Sequence, residues 1–369
     1  MDEATYLAQL QQRWAQAWPA DVPRTAQYPL GERPLTEYLR HWATVQPDHP
    51  ALHFYGHSLT YRELDQLSDR CAALLRSLGV AAGDRVAVLL PNCPQMHIAF
   101  LGILKCGAVH APVSPLSQHL ELAHQLGDCG ATVLIGLDQL LPLVQQVRDR
   151  TALRTLIATS LSELRPARPT LPVPDLLKAP KRPVADALDF YPALAACQAA
   201  VPEHPVQLDD IAALNYTGGT TGLPKGCIHT HRDMLYTCAS FVPTALGCDR
   251  HAVSLNFLPQ FWIAGENAGL LFPLYSGCSL VFPSELEALL GQHPAVLASA
   301  VLGRAHAVRG QEPVAFIVLK PGSEETADSL VQWCLGAMAR YKVPQVRLVE
   351  GLPMTATGKV KKQELEALL

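Results

Sequence analysis

The sequence predicts an α/β fold: a doubly wound, largely parallel sheet followed by a small α+β domain. Two observations carry this. Between residues 51 and 159, short apolar runs alternate with segments of helical period, the pattern of parallel strands joined by helices. From Ser284 onward the order becomes a short helix, two strand runs, a helix, a strand and a last helix. A chain of 369 residues has room for two or three units. Boundaries are set at 1–205 for an N-terminal α/β subdomain, 206–283 for a second subdomain and 284–369 for the α+β domain.

Residues 1–33 form an N-terminal arm, after which Leu35, Tyr38, Leu39, Trp42 and Val45 share one helical face that packs into the core. Ala51–Phe54 and Ser58–Thr60 flank Gly56 as a hairpin, and Thr60 with Glu63 has the spacing of a capping box that starts the next helix. Strands are expected at Arg85–Leu90, Val109–Val113, Thr132–Ile135 and Leu156–Thr159, with helices at Pro94–Lys105, Leu120–Leu126 and Leu137–Val147. Six prolines in 166–183 mark an extended connection. Beyond it come a helix at Leu188–Ala200, a strand entering Tyr216, a helix at His231–Phe241 and an apolar strand-turn-strand at Leu270–Phe282. In the last domain, Glu285–Leu290 is a short helix, and the strands Val296–Gly303 and Val314–Leu319 are joined by a turn-rich segment.

An apolar fraction of 49% and a charged fraction of 17% describe a globular chain, and a net charge of −4 offers no general surface for nucleic acid or membrane. The acidic start carries no signal-peptide pattern, and Pro273 and Gly277 interrupt the longest apolar region, so no integral membrane segment is expected. Ten cysteines without a Cys-x-x-Cys pair suit reduced thiols in the cytoplasm, and no metal site is assigned. His229 and His231, two apart, suit the start of a helix or the surface better than a metal site.

The stretch Tyr216–Gly226 reads Tyr-Thr-Gly-Gly-Thr-Thr-Gly-Leu-Pro-Lys-Gly. Glycines let backbone N–H groups turn around an anion, threonine hydroxyls add donors, and Lys225 adds a compact positive charge. Pro224 before the lysine and Gly226 after it exclude a Walker A loop, and with it a P-loop kinase or NTPase. A flexible surface loop is the bland alternative, but the apolar run Ile211–Leu214 leads in like a buried strand. The following helix is expected to add the favourable field of its N-terminus near bound phosphate.

This stretch resembles the nucleotide-phosphate loop of the adenylate-forming (AMP-binding) superfamily, of the acyl-CoA synthetase type. A second block, Pro353-Met354-Thr355-Ala356-Thr357-Gly358-Lys359-Val360, is similar to that superfamily's closing motif. The resemblance implies ATP-dependent activation of a carboxylic acid, fatty or aryl, to an acyl-adenylate. Transfer to coenzyme A as a thioester follows, with Mg²⁺ present. It implies that Thr217, Gly218, Gly219, Thr220, Thr221, Gly222 and Lys225 hold the ATP phosphates and that Lys359 is catalytic, bridging carboxylate and α-phosphate. Lys359 alone, beside Lys361 and Lys362, would read as a solvated surface lysine; its Thr-Ala-Thr-Gly frame decides against that. Trp262, in Phe261-Trp262-Ile263-Ala264-Gly265, falls where many acyl-CoA synthetases carry histidine on the acyl and thiol approach; burial in the core is an equal alternative. Lys105–Val109 is a structural helix-to-strand turn.

The resemblance has an internal gap. The superfamily's aromatic-Gly-x-Thr-Glu motif, ribose-binding aspartate and hinge arginine find no counterpart, and the chain passes directly from Ser279–Phe282 into the last domain; Arg304 lies inside that domain. Such a deletion implies exposed strand edges, self-association and weakened activity. The alternative function is a non-catalytic remnant that binds nucleotide or a partner.

Overall fold

The computed structural model describes residues 2–20, 22–165, 175–197, 206–217, 223–256, 258–282, 290, 293–306, 310–337, 343–354 and 360–369. Helices α1 (Glu3–Ala17) and α2 (Leu35–Val45) precede the hairpin β1 (Pro50–Phe54) and β2 (His57–Thr60). Next come α3 (Tyr61–Ser77), β3 (Arg85–Leu89), α4 (Pro94–Lys105), β4 (Val109–Pro112), α5 (His119–Cys129), β5 (Val133–Leu137), α6 (Leu141–Gln145) and β6 (Thr155–Thr159). Short elements α7 (Asp175–Lys178), β7 (Ala187–Asp189) and α8 (Phe190–Ala196) lead to β8 (Ile211–Thr217), β9 (Lys225–Thr230) and α9 (His231–Phe241). After β10 (Val253–Leu255) come α10 (Ile263–Glu266), α11 (Phe272–Ser276) and β11 (Ser279–Val281). The last stretch holds β12 (Val296–His306), β13 (Gly310–Leu319), α12 (Ala327–Ala337), β14 (Gln345–Leu348) and α13 (Lys362–Glu366).

The first sheet has the order β7-β6-β5-β3-β4-β8-β9, parallel throughout except for the antiparallel β8–β9 pair. One face carries the larger core, into which Leu64, Leu75, Ile98, Leu101, Leu235 and Phe282 pack. The other carries the smaller core of α5 and α6, with Leu122, Leu126, Leu141 and Val144. Helices on both faces make the sheet doubly wound, and its central strands β3 and β5 are apolar on both sides. The chain is thus an α/β protein with a C-terminal α+β part.

Local chemistry accounts for the starts and stops. Thr60 caps α3 through a reciprocal capping box with Glu63, as the spacing predicts. Gly130, with φ of 62°, ends α5 in the left-handed region that a side chain disfavours. Every residue of α4 is buried. Its closest neighbour is α3, where a Cβ on Gly102 would stand 2.5 Å from Cys71 Cβ, so only glycine allows the approach. At its C-terminus Lys105, 2% exposed, reaches Asp65 at 2.6 Å and Asp69 at 2.8 Å.

The second sheet has the order β12-β13-β10-β11-β1-β2, with β14 parallel to β13. Strand β13 pairs with β10 at Val253 and Gly310, and Leu255 and Val281 share an apolar cluster with Val301, Ile317 and Leu330. Exposed strand edges were expected in general; here the edge of β10 is paired with β13 of the C-terminal hairpin. Three other expectations differ. Leu270–Phe282 is not strand-turn-strand: Ile263–Ser276 is helical throughout, with a π-helical stretch at Asn267–Leu271, and only Ser279–Val281 is strand. Apolar content is the same for a buried helix and a buried strand, so periodicity misread it. The C-terminal hairpin is longer than expected, and its pairing continues to His306 and Gly310. The helix expected over Leu137–Val147 is confined to Leu141–Gln145, because β5 runs on to Leu137. The expected helix Glu285–Leu290 lies outside the described residues except for Leu290.

Gly102→Ala is expected to lower stability by about 1–3 kcal/mol, through forced separation of α3 and α4; urea denaturation of the two proteins measures it.

Candidate active site

Strands β8 and β9 form the stem of the glycine-threonine loop. Thr217 and Lys225 are the last register pair before the loop, with the Thr217 hydroxyl donating to the Lys225 carbonyl at 3.4 Å. Both residues are exposed. Because β8 runs parallel to β4 and β3, the loop leaves at the carboxyl edge of the sheet, where open α/β sheets bind ligands. The structure thus brings Thr217 and Lys225 together, while Gly218, Gly219, Thr220, Thr221 and Gly222 lie outside the described residues. Gly226 faces Tyr216 across the ladder, and a Cβ there would meet Leu214 Cδ1 at 2.8 Å.

Helix α5 holds both sides of the stem. A ring nitrogen of His124 lies 2.8 Å from the Pro224 carbonyl, and the Tyr216 hydroxyl donates to the Asp128 carboxylate. Burial, and then that hydrogen bond, push the Tyr216 hydroxyl above its ordinary pKa. Helix α9 does not serve the loop as expected. It starts at His231, at the far end of β9 from Lys225, a separation of roughly 20 Å for extended chain at ~3.3 Å per residue. Its N-terminus is satisfied by Thr230 and Asp233 in a capping box. His231 is 1% exposed and opens this helix, in keeping with a structural role, and burial lowers its pKa to about 4 against the opposing effect of Asp210.

Trp262 stands at the N-cap of α10, 50% exposed, its ring 5.1 Å from that of Phe261. The loop before it is fixed from α4 and its approach. Asn92 donates to the Leu258 carbonyl at 2.9 Å and accepts from the Gln260 N–H at 2.8 Å; the Gln260 amide meets His97 at 3.0 Å. Burial lowers the pKa of His97 to about 3.

Glu266, on the same helix as Trp262, is fully buried. Its Oε2 accepts from Asn215 Nδ2 at 3.0 Å and lies 3.3 Å from His110 Nδ1. Sequence reading missed these three residues. A charged residue between Gly265 and the apolar run after it, and a histidine inside an apolar strand, were the available signals. Beside this helix lies a cavity of about 370 Å³, lined by Thr237, Phe241, Leu255, Ala264, Ala268 and Phe272 among others. Lys359 lies outside the described residues; the segment that carries it is closed at its base by the bridge between Met354 and Val360 and by the Lys361 N–H donating to Pro353 O at 2.7 Å.

A doubly wound sheet with the β8–β9 stem at its carboxyl edge, followed by a C-terminal α+β part, is an α/β architecture of the kind that binds nucleotides. The AMP-binding enzyme model matches residues 39–302, the AMP-binding enzyme C-terminal domain model matches 285–359, and the chain belongs to the AMP-binding enzyme family. A long-chain-fatty-acid–CoA ligase of Bacillus subtilis is 30% identical over 296 residues, 76% of this chain and 51% of its own length. One of Salmonella typhimurium is 38% identical over 231 residues, 60% of this chain and 41% of its own. This chain spans about half the length of the curated relatives it matches. Among solved structures, an anthranilate CoA ligase in complex with anthranoyl-AMP is similar with a TM-score of 0.61 at 19% identity, over 91% of this chain and 97% of that one. A benzoate CoA ligase from Burkholderia xenovorans gives 0.58 at 18%, over 90% and 99%. At these identities the likeness is one of fold. No helix among the described residues is long and apolar enough to cross a membrane.

His97 and His231 are neutral in the fold, whereas in the unfolded chain each binds a proton below its ordinary pKa of 6.5. Their contribution to stability is therefore present in full above pH 6.5 and lost as the pH falls toward 4, at about 1.4 kcal/mol per unit and group. Urea midpoints at pH 7 and pH 5 should differ accordingly, and His231→Gln should flatten part of the slope.

Proposed function

We propose that this chain activates a carboxylic acid, fatty or aryl, with ATP to an acyl-adenylate and passes the acyl group to coenzyme A. The observation that carries the proposal is that one helix touches both halves of such a site. Ala264 lines the apolar cavity, while Glu266 bonds Asn215 on the strand that leads into the loop of Thr217 and Lys225. The names of the two curated relatives, long-chain-fatty-acid–CoA ligases, support the same reading.

In the first half-reaction the carboxylate attacks the α-phosphorus, the bond to the β,γ-phosphates breaks, and pyrophosphate leaves. Two anions must approach, so positive charge and oriented donors lower the barrier most. Thr217, Gly218, Gly219, Thr220, Thr221, Gly222 and Lys225 are assigned to the β- and γ-phosphates, and Lys359 to the carboxylate and α-phosphate oxygens. Trp262, half exposed at the helix start, is assigned to the acyl and thiol approach. Mg²⁺ is taken to enter as MgATP on phosphate oxygens. In the second half-reaction the thiol of coenzyme A attacks the acyl carbon and AMP leaves.

The three units 1–205, 206–283 and 284–369 are retained as the domain reading, with an internal deletion between the last two. The overlap of the two family models at 285–302 and the half-length match to the relatives support it. We take the deletion to lower turnover. A second reading, a remnant that binds nucleotide or a partner, draws on the pairing of Val253 with Gly310, which ties the C-terminal part to the large part. Ten free cysteines support a reducing compartment, the cytoplasm. Self-association is assigned to strand edges left open, such as the outer side of β9 with Ile228 61% exposed.

ATP–pyrophosphate exchange across acetate, medium- and long-chain fatty acids and benzoates tests the function. Acid-dependent exchange is expected, abolished by Lys359→Ala with ATP binding retained. Exchange that survives the substitution removes the role given to Lys359. A folded chain that binds ATP without exchange leaves the remnant.

A further inference from the structure

Three polar side chains meet in the interior where apolar packing would be cheaper. His110 and Glu266 have no exposed surface and Asn215 has 5%. The Glu266 carboxyl oxygen that accepts from Asn215 also faces His110. Its other oxygen, the Asn215 side-chain oxygen and both ring nitrogens of His110 meet no hydrogen-bond partner among the described residues. Buried polar groups with unused capacity cost stability, so packing alone gives no reason for them. Apolar replacement of a buried polar cluster is often neutral or stabilising, which sharpens the question.

What the cluster does have is position. Asn215 lies two residues before Thr217, on β8. Glu266 lies one turn after Trp262, and its backbone N–H donates to the Trp262 carbonyl at 2.8 Å. His110 sits on β4, facing the edge of Phe100 with ring centroids 5.0 Å apart. Strand β4 also pairs with β8 through His110 and Ala213. The helix itself is pressed close: a Cβ on Gly265 would lie 1.9 Å from the Pro259 carbonyl oxygen, and one on Gly269 2.2 Å from Asn256 Nδ2. On this side the helix is held by close backbone and side-chain contacts and by Asn256 Nδ2 donating to the Gly265 carbonyl at 3.4 Å. A hydrogen bond restricts both distance and direction, and among the described residues the bond from Asn215 to Glu266 crosses from the helix to the loop strand.

We propose that Glu266 is a positioning residue, clamping the helix that carries Trp262 to the strand that carries the phosphate loop, with His110 Nδ1 3.3 Å from its carboxyl group. The proposal rests on the reading of the site as an acid-activating one. It adds that the spacing between the acyl and phosphate halves is set by one buried carboxyl group. Loss of the clamp lets the bound acid and ATP stay bound while their reacting atoms fall out of line, a defect of turnover rather than of affinity.

The test uses the full chain and four proteins: wild type, Glu266→Gln, Glu266→Leu, and the apolar triple His110→Phe, Asn215→Leu, Glu266→Leu. Pyrophosphate exchange, thermal melts and hydrogen exchange of segments 211–217 and 262–271 are measured on each. Glu266→Gln keeps an acceptor for Asn215 and is expected within about threefold of wild-type turnover, whereas Glu266→Leu loses at least about tenfold with the KM for ATP within about twofold. The triple variant is expected to melt at or above the wild-type temperature yet keep the turnover defect; a purely structural cluster would restore both. Wild-type turnover in the triple variant, or equal losses in Glu266→Gln and Glu266→Leu, overturns the proposal. If the triple variant does not fold, the comparison of Gln with Leu decides. If wild type itself exchanges no pyrophosphate, the functional reading has failed and the clamp is judged by hydrogen exchange. Faster exchange in both segments for Leu but not Gln supports it, and no difference overturns it.

Discussion

A helix with no exposed residue must find partners for every polar group it carries, and α4 is such a helix. Its solutions set the geometry around it. Lys105 draws Asp65 and Asp69 of α3 onto its end, and Arg40 of α2 joins Asp69 at 2.9 Å. Gln95 takes the Ser160 carbonyl at 2.9 Å, just beyond β6. His97 takes Gln260, in the loop before Trp262. One buried element thereby ties α2, α3, the far side of the first sheet and the start of α10 into a single frame. The close contact at Gly102 makes that frame possible.

Within the frame, the site is assembled from parts of different character. The loop stem is exposed and held by α5 through His124 and Asp128. The helix behind it is buried and held through Glu266, Asn215 and His110. The cavity lies where α9 and the helix of Trp262 both loosen into π-helical stretches, Val242–Leu246 and Asn267–Leu271. Wider helical turns leave space between neighbours, a recurrent property of helices at functional sites.

Much of the frame was legible in the sequence, and the reasons are local. Thr60 and Glu63 announce α3 because a capping box needs only its own residues. Alternation of strand and helix announces the parallel sheet for the same reason. The stretch between Thr217 and Lys225 stands out because glycine, threonine and lysine in that spacing have few other uses. What failed depended on distant neighbours. Leu270–Phe282 is apolar whichever element it forms, and only packing of Gly269 against Asn256 and Gln260 reveals a helix there. The function expected of the α9 N-terminus failed because the sequence does not state that β9 carries the chain away from the loop. Glu266 was invisible because its partners lie far away along the chain, on β4 and β8.

The seam between the two halves of the second sheet has a thermal consequence. Along the β12–β13 hairpin, main-chain hydrogen bonds run from Val296 to His306, whereas β10 meets β13 at Val253 and Gly310. What joins the halves is chiefly the apolar contact of Leu255 and Val281 with Leu290, Val301 and Ile317. Such contact weakens on cooling, while a hydrogen-bonded ladder is far less affected. Cooling is therefore expected to loosen this seam before it loosens the β12–β13 ladder.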